Sequence, residues 1–146
     1  MSAGTIRVLA IALFRAGDAI LVAGGRDPVT GSTYFRPLGG GVEFGESAEE
    51  AVRREIREEL GAEVTDVVRV GVLENRFAYA GRPRHEIVFV LDARFADPSL
   101  AGRAELPVAE GGWDPARWMP LAAFRSGAAR LVPEALLALL DDAPGR

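Results

Sequence analysis

The chain has 146 residues, 49% of them apolar and 26% charged, with a formal net charge of −4. That length suits one ordinary domain with a real core, so residues 1–146 are expected to form a single unit. The negative balance argues against clamping a nucleic-acid polymer; the absence of Cys excludes disulfides, thiolate metal sites and a cysteine nucleophile, and the absence of Lys excludes Schiff-base and Walker-type lysine chemistry.

Taken in order, Arg7 to Phe14 is rich in aliphatic residues and reads as a strand buried on both faces. Ile6 to Phe14, the nearest candidate for a secretory core, is short, contains Arg7, is followed by Arg15 and lacks a clear cleavage site, so we expect a cytoplasmic protein. No apolar run approaches a membrane span. Arg15 to Asp18 reads as a turn and Ala19 to Ala23 as a returning strand, which together suggest a hairpin. A polar loop, Gly24 to Thr33, leads to the short extended piece Tyr34 to Leu38. Three glycines follow, Gly39-Gly40-Gly41. They permit backbone conformations closed to other residues and close approach of a ligand; the plain alternative is a flexible turn.

Ser47 with Glu50 three residues on reads as a capping box, and Gly61 stands where a left-handed glycine would end the helix. Between them Ala48, Ala51, Val52, Ile56 and Leu60 form one apolar arc at helical spacing. Glu55 and Glu59 fall in the middle of that arc and Glu58 at its edge, while Arg53, Arg57 and Glu50 fall opposite. Buried carboxylates one turn apart repel and lose solvation. Arg54, four before Glu58, is expected to pair with one of them. A salt-bridged solvated face is the common reading of a charge run. The mixing of acids into the apolar arc favours a hard divalent cation instead, since Mg²⁺ prefers carboxylate oxygens and water.

Beyond the helix, Val64 to Val72 and Leu73 to Tyr79 read as two extended pieces, Ala80 to Pro83 as a turn, and Glu86 to Phe95 as the clearest later strand. Asp97 to Asp114 reads as a polar loop, Ala116 to Met119 as a short strand, Pro120 to Phe124 as the start of a small helix, and Leu131 to Asp142 as a terminal helix with Pro133 in its first turn. Strands with a central and a late helix give an α/β class.

Gly40, five residues, Glu46, seven residues, then Arg54-Glu55-Ile56-Arg57-Glu58-Glu59-Leu60-Gly61-Ala62 resembles the signature box of the Nudix hydrolases, G-x5-E-x7-R-E-U-x-E-E-x-G-U with U aliphatic. The box specifies nine positions across 23 residues, and only Ala62 is a weak match. The family's usual Pro before the glycines is Leu38 here, with Pro37 one place earlier, which alters the loop. The resemblance implies an α/β/α sandwich with a mixed β-sheet. It implies an Mg²⁺-dependent pyrophosphohydrolase, with Mn²⁺ able to substitute, that cleaves a nucleoside diphosphate linked to another group. Nucleotide sugars or ADP-ribose, (d)NTPs and dinucleoside polyphosphates all remain open as substrates. By resemblance Glu55, Glu58, Glu59 and the carbonyl of Gly39 or Gly40 would hold metal, and Arg54 would orient a glutamate. Glu46 would stabilise the loop. The base would be Glu59, Glu86 or a loop acid, Glu105 or Glu110. Similar enzymes are often dimers, so a homodimer is a further expectation.

Other residues carry weaker signals. His85, the sole histidine, fits a general base but more often such a residue lies at the surface. Arg26, Arg36, Arg76 and Arg84 suit bidentate phosphate recognition. Trp113, Trp118, Phe35, Phe44, Phe77 and Tyr79 are possible stacking platforms for a base; since most aromatics are core, Phe35, Phe77 and Tyr79 are the ones singled out. The rival to an enzyme is a nucleotide-sensing module that keeps the fold and box without turnover; a purely structural acidic helix is the other.

Overall fold

A computed structural model describes residues 4–109 and 112–142. Strands β1 (Ile6–Leu13), β2 (Arg15–Ala16), β3 (Ala19–Arg26), β4 (Thr33–Arg36) and β5 (Leu38–Gly41) precede helix α1 (Ala48–Leu60). Strands β6 (Val64–Tyr79) and β7 (Arg82–Phe95), a 3₁₀ turn (Pro98–Gly102), β8 (Glu105–Leu106), β9 (Ala116–Pro120), α2 (Leu121–Arg125) and α3 (Leu136–Asp142) follow.

One sheet runs β5-β1-β7-β6 and is mixed, because β1 and β7 are parallel while the flanking pairs are antiparallel. A second runs β2-β3-β9-β8, with β4 also on β3. Leu9 to Leu13 are all buried, and alternation sends their side chains to opposite faces. Ala10 and Ala12 meet Ala48, Ala51, Val52 and Ile56 of α1. Leu9, Ile11 and Leu13 meet Phe124 of α2 with Leu136 and Leu140 of α3. The mixed sheet therefore lies between helices, as expected. Small residues on the α1 side let that helix, and the acids it carries, come close to the sheet.

Helix α1 begins and ends where expected. Ser47 Oγ accepts the Glu50 N–H and Glu50 accepts the Ser47 N–H, completing the capping box. Gly61 closes the helix at φ 65°, donating its N–H to the Arg57 carbonyl.

Four expectations need correcting. Strands β1 and β3 are not a hairpin. Only the two-residue β2 folds back on β3, and β1 takes β5 and β7 as partners in another sheet. A strand buried on both faces gains most from neighbours on both edges, and a local hairpin supplies one. The chain crosses between sheets at Phe14, which is buried and stacks on Phe95 at 4.0 Å. Residues 64–79 form one strand rather than two, kept continuous by register shifts between Thr65 and Val68 and between Arg69 and Gly71. The turn after it is confined to Ala80-Gly81, with Arg82 and Pro83 already in β7. The last helix starts at Leu136, not Leu131: Phe35 and Leu131 form an isolated parallel bridge, with Val132 N–H on the Phe35 carbonyl at 2.9 Å, and a turn follows in which the Leu136 N–H meets the Pro133 carbonyl at 3.0 Å. Among the described residues no helix is long and apolar enough to cross a membrane.

Candidate active site

Strand β5 is the bare rim of the mixed sheet. Gly40 lies opposite Ala10 and Gly39 opposite Ile11. A methyl group on Gly40 would stand 2.5 Å from the Glu55 carboxyl. Glycine at this position is what lets the acid lie against the strand. Glu59 is only 6% exposed, within the apolar arc of α1, and its Oε1 accepts the Gly39 N–H at 3.1 Å. Glu58 is further out, its side chain 43% exposed.

Arg54 is the hub of the cluster, and here the expectation of a single partner is corrected. Its Nε and Nη2 donate to the two oxygens of Glu46 at 2.8 and 2.9 Å, a bidentate fork. Its Nη1 donates to Glu55 at 2.9 Å and to Glu58 at 3.3 Å, and Nη2 also reaches the Gly41 carbonyl at 2.8 Å. Helical spacing alone could show only Glu58. Glu46 arrives because the loop folds back, its Oε1 accepting the Glu43 N–H at 3.0 Å. The fork and that N–H hold the Glu46 carboxyl down to about 2 from an ordinary 4.5, and the Arg54 guanidinium is raised, chiefly by its bonds to Glu46.

A depressed acid stabilises the fold above its unfolded pKa. The Glu46 contribution is complete above about pH 4.5 and is lost as pH falls towards 2. Glu46→Gln is therefore expected to flatten the acid limb of the stability curve in that window. Urea midpoints measured stepwise through it will check this.

Among the described residues no three His, Cys, Asp or Glu side chains converge on one point. The chemistry of the donor set nevertheless fits a hard cation: three carboxylates and the backbone carbonyl of a glycine against which Glu55 lies, all oxygen. Glu55 and Glu58 would exchange Arg54 for it.

On the other face of the sheet lies a cavity of about 660 Å³. Leu9 and Ile11 are in its wall, with Arg36, Arg76, Phe77, Tyr79, Arg84 and Glu86 from the residues singled out in the sequence. Glu86 thus faces this cavity rather than α1. Arg7 connects the two halves: it lines the cavity, and its Nη2 lies 3.5 Å from the place of a Gly41 side chain.

The remaining candidates lie elsewhere. Phe35 packs on Phe124 at 6.2 Å, under Arg117, and Arg26 is outside the cavity wall, its guanidinium beside Gly31. His85 contacts Glu74 at 3.1 Å. Glu105 is exposed at the start of β8, and Glu110 lies outside the described residues.

Tyr34, Arg7 and Asp27, which were not singled out in the sequence, are in the wall, as is Trp113, which was not kept among the stacking candidates. Tyr34 meets Tyr79 edge-on at 6.4 Å and Trp113 at 6.1 Å. Burial, reinforced by Tyr79, raises its phenol to about 12, so it stays a proton donor. Strand alternation was the available signal: Tyr34 and Arg36 share a face, and Phe35 takes the other. The same alternation groups Arg7 with Leu9 and Ile11. Asp27 accepts N–H groups from Val29, Thr30 and Ala80, which lower its pKa and tie the 27–32 loop to the β6–β7 turn.

A carboxylate-bearing helix behind a glycine rim, with an aromatic and arginine-lined cavity on the opposite face of a mixed sheet, defines an α/β protein with two distinct clusters of charge. A model of the NUDIX domain matches residues 4–140, and the chain belongs to that family of hydrolases, which generally use divalent metal ions. The MutT NUDIX hydrolase of Burkholderia pseudomallei superimposes with a TM-score of 0.70 at 26% identity, over 97% of this chain and 99% of that one. A NUDIX hydrolase of Nitrosomonas europaea gives 0.65 at 21% identity, over 94% and 88%, and shows the fold alone. Among curated relatives, the NAD-capped RNA hydrolase NudC of Pseudomonas putida (strain W619) is 46% identical over 61 residues, 42% of this chain. That match covers only 21% of the length of NudC.

Proposed function

We propose that this protein is a divalent-cation-dependent pyrophosphohydrolase acting on a nucleoside diphosphate linked to a second group. The grouping of Glu55, Glu58 and Glu59 on one helix beside the glycine rim carries the reading: carboxylates spaced within one turn repel one another, and a hard cation with oxygen ligands offsets that. Glu55, Glu58, Glu59 and the Gly40 carbonyl would hold Mg²⁺, or Mn²⁺ in its place. A bound cation neutralises the diphosphate and lowers the pKa of its water.

The protein's own groups supply the rest. Arg54, anchored by Glu46, positions Glu55 and Glu58. The missing side chains of β5 let a diphosphate lie close to the backbone, and Arg7 supplies a guanidinium at the same rim. Tyr34, Tyr79 and Trp113 offer aromatic faces to the nucleoside, with Arg36 and Phe77 beside them. Water adds in line to one phosphorus, the anhydride P–O bond breaks, and two phosphate-ended products leave. The proton goes to a carboxylate; Glu59 stands at the rim and Glu86 across the sheet, in the cavity.

The test is a hydrolysis screen with Mg²⁺ and with Mn²⁺ over dNTPs, ADP-ribose, nucleotide sugars, NADH, dinucleoside polyphosphates and NAD-capped RNA, with products identified by mass. Turnover of one group that EDTA abolishes supports the proposal. One observation favours a nucleotide-binding module instead: Arg54 already occupies Glu55 and Glu58. Nucleotide binding with no turnover of any compound at either metal would establish that reading.

A further inference from the structure

We propose that the cavity contains a second anion subsite, built on Arg84 and Arg36, and that the preferred ligand carries a phosphomonoester on its nucleoside, remote from the diphosphate. This rests on the reading above for where the diphosphate lies.

Distance makes the first argument. Gly40, beside Glu55, is level with Ala10 of β1, which is level with Phe89 of β7. Arg84 lies five residues before Phe89, about 16 Å along the strand. β7 is also two strands removed from β5. A diphosphate held at the rim cannot reach so far, so Arg84 addresses another part of the ligand.

Charge makes the second. The wall carries Arg7, Arg36, Arg76, Arg84 and Arg130 against Asp27, Glu86 and Glu134. Arg130 is paired with Glu134 at 2.7 Å, and Asp27 accepts three backbone N–H groups. Neither Arg36 nor Arg84 has a carboxylate within ion-pair distance among the described residues. Each lies instead over an aromatic face: Arg36 on Trp113 at 5.1 Å, Arg84 on Tyr79 at 5.8 Å. Stacking orients a guanidinium and leaves its N–H edge open, the arrangement that suits bidentate phosphate recognition. Both rings also contact Tyr34. The two cations therefore flank the aromatic trio offered to the nucleoside, where a phosphate on its ribose would lie.

Matched ligand pairs test this without turnover. Binding of NADPH against NADH, and of coenzyme A against its dephospho form, is measured by calorimetry in EDTA for the full chain and for Arg84→Gln. Each pair differs in one ribose phosphate. The phosphorylated member is expected to bind about tenfold more tightly, the worth of a charge-assisted hydrogen bond. That ratio should fall to about threefold or less in Arg84→Gln, an exposed strand position whose replacement leaves the core intact. Equal binding within both pairs overturns the subsite, as does a ratio that survives Arg84→Gln, or no binding of any of the four. Hydrolysis of diphosphates without the preference would remove this inference and leave the proposed activity. The preference without hydrolysis would do the reverse.

Discussion

Replacing Glu59 by Gln is expected to lower kcat by about 10²-fold or more while the protein stays folded. Gln keeps the shape of the side chain and retains a carbonyl oxygen that can accept the Gly39 N–H, now made at 3.1 Å. The loss is one negative charge, and with it a cation ligand and a proton acceptor. Removing a charge from a residue 6% exposed relieves desolvation and repulsion from Glu55, so the melting temperature should hold or rise. Steady-state rates at saturating Mg²⁺, read beside thermal melts, separate the two effects. An unchanged rate would remove Glu59 from the chemistry; a collapsed melting temperature would show that its role is structural.

Gly39→Ala should act through the fold. Gly39 has φ 148°, a conformation that L residues rarely adopt, and an added methyl would stand 2.1 Å from the Ala10 carbonyl oxygen and 2.7 Å from Ile11 Cα. Both neighbours are backbone in the central strand, so neither can turn aside. Strain and overpacking together should cost about 3 kcal/mol or more, lowering the melting temperature by on the order of 10 °C for a chain of this size. Gly41→Ala makes the control: the nearest group is the flexible end of Arg7 at 3.5 Å, and its effect on stability should be small. Equal losses in the two variants would contradict the geometry.

The legible part of this protein was local. The capping box, the left-handed Gly61 and the acids set among apolar residues of α1 all follow from spacing within one helix, because a helix repeats every 3.6 residues whatever it packs on. The strand ending at Phe95 was legible for the same reason, as a run with few turn residues. The box of nine specified positions pointed to the family now matched over residues 4–140.

What failed was pairing. β1 chose β5 and β7 over the nearer β3, because five consecutive buried residues need apolar neighbours on both edges and both faces. Arg54 gathered Glu43 and Glu46 beside Glu55 and Glu58 because the loop before α1 folds back, and Tyr34 met Trp113 because the 112–116 segment returns to β3. The helix, its ends and the positions of its acids were thus determined by the sequence alone. Which strand lies beside the glycines, and which aromatics and arginines enclose the cavity, were decided only in three dimensions, where distant segments compete for the same buried surface and no short-range period records the outcome.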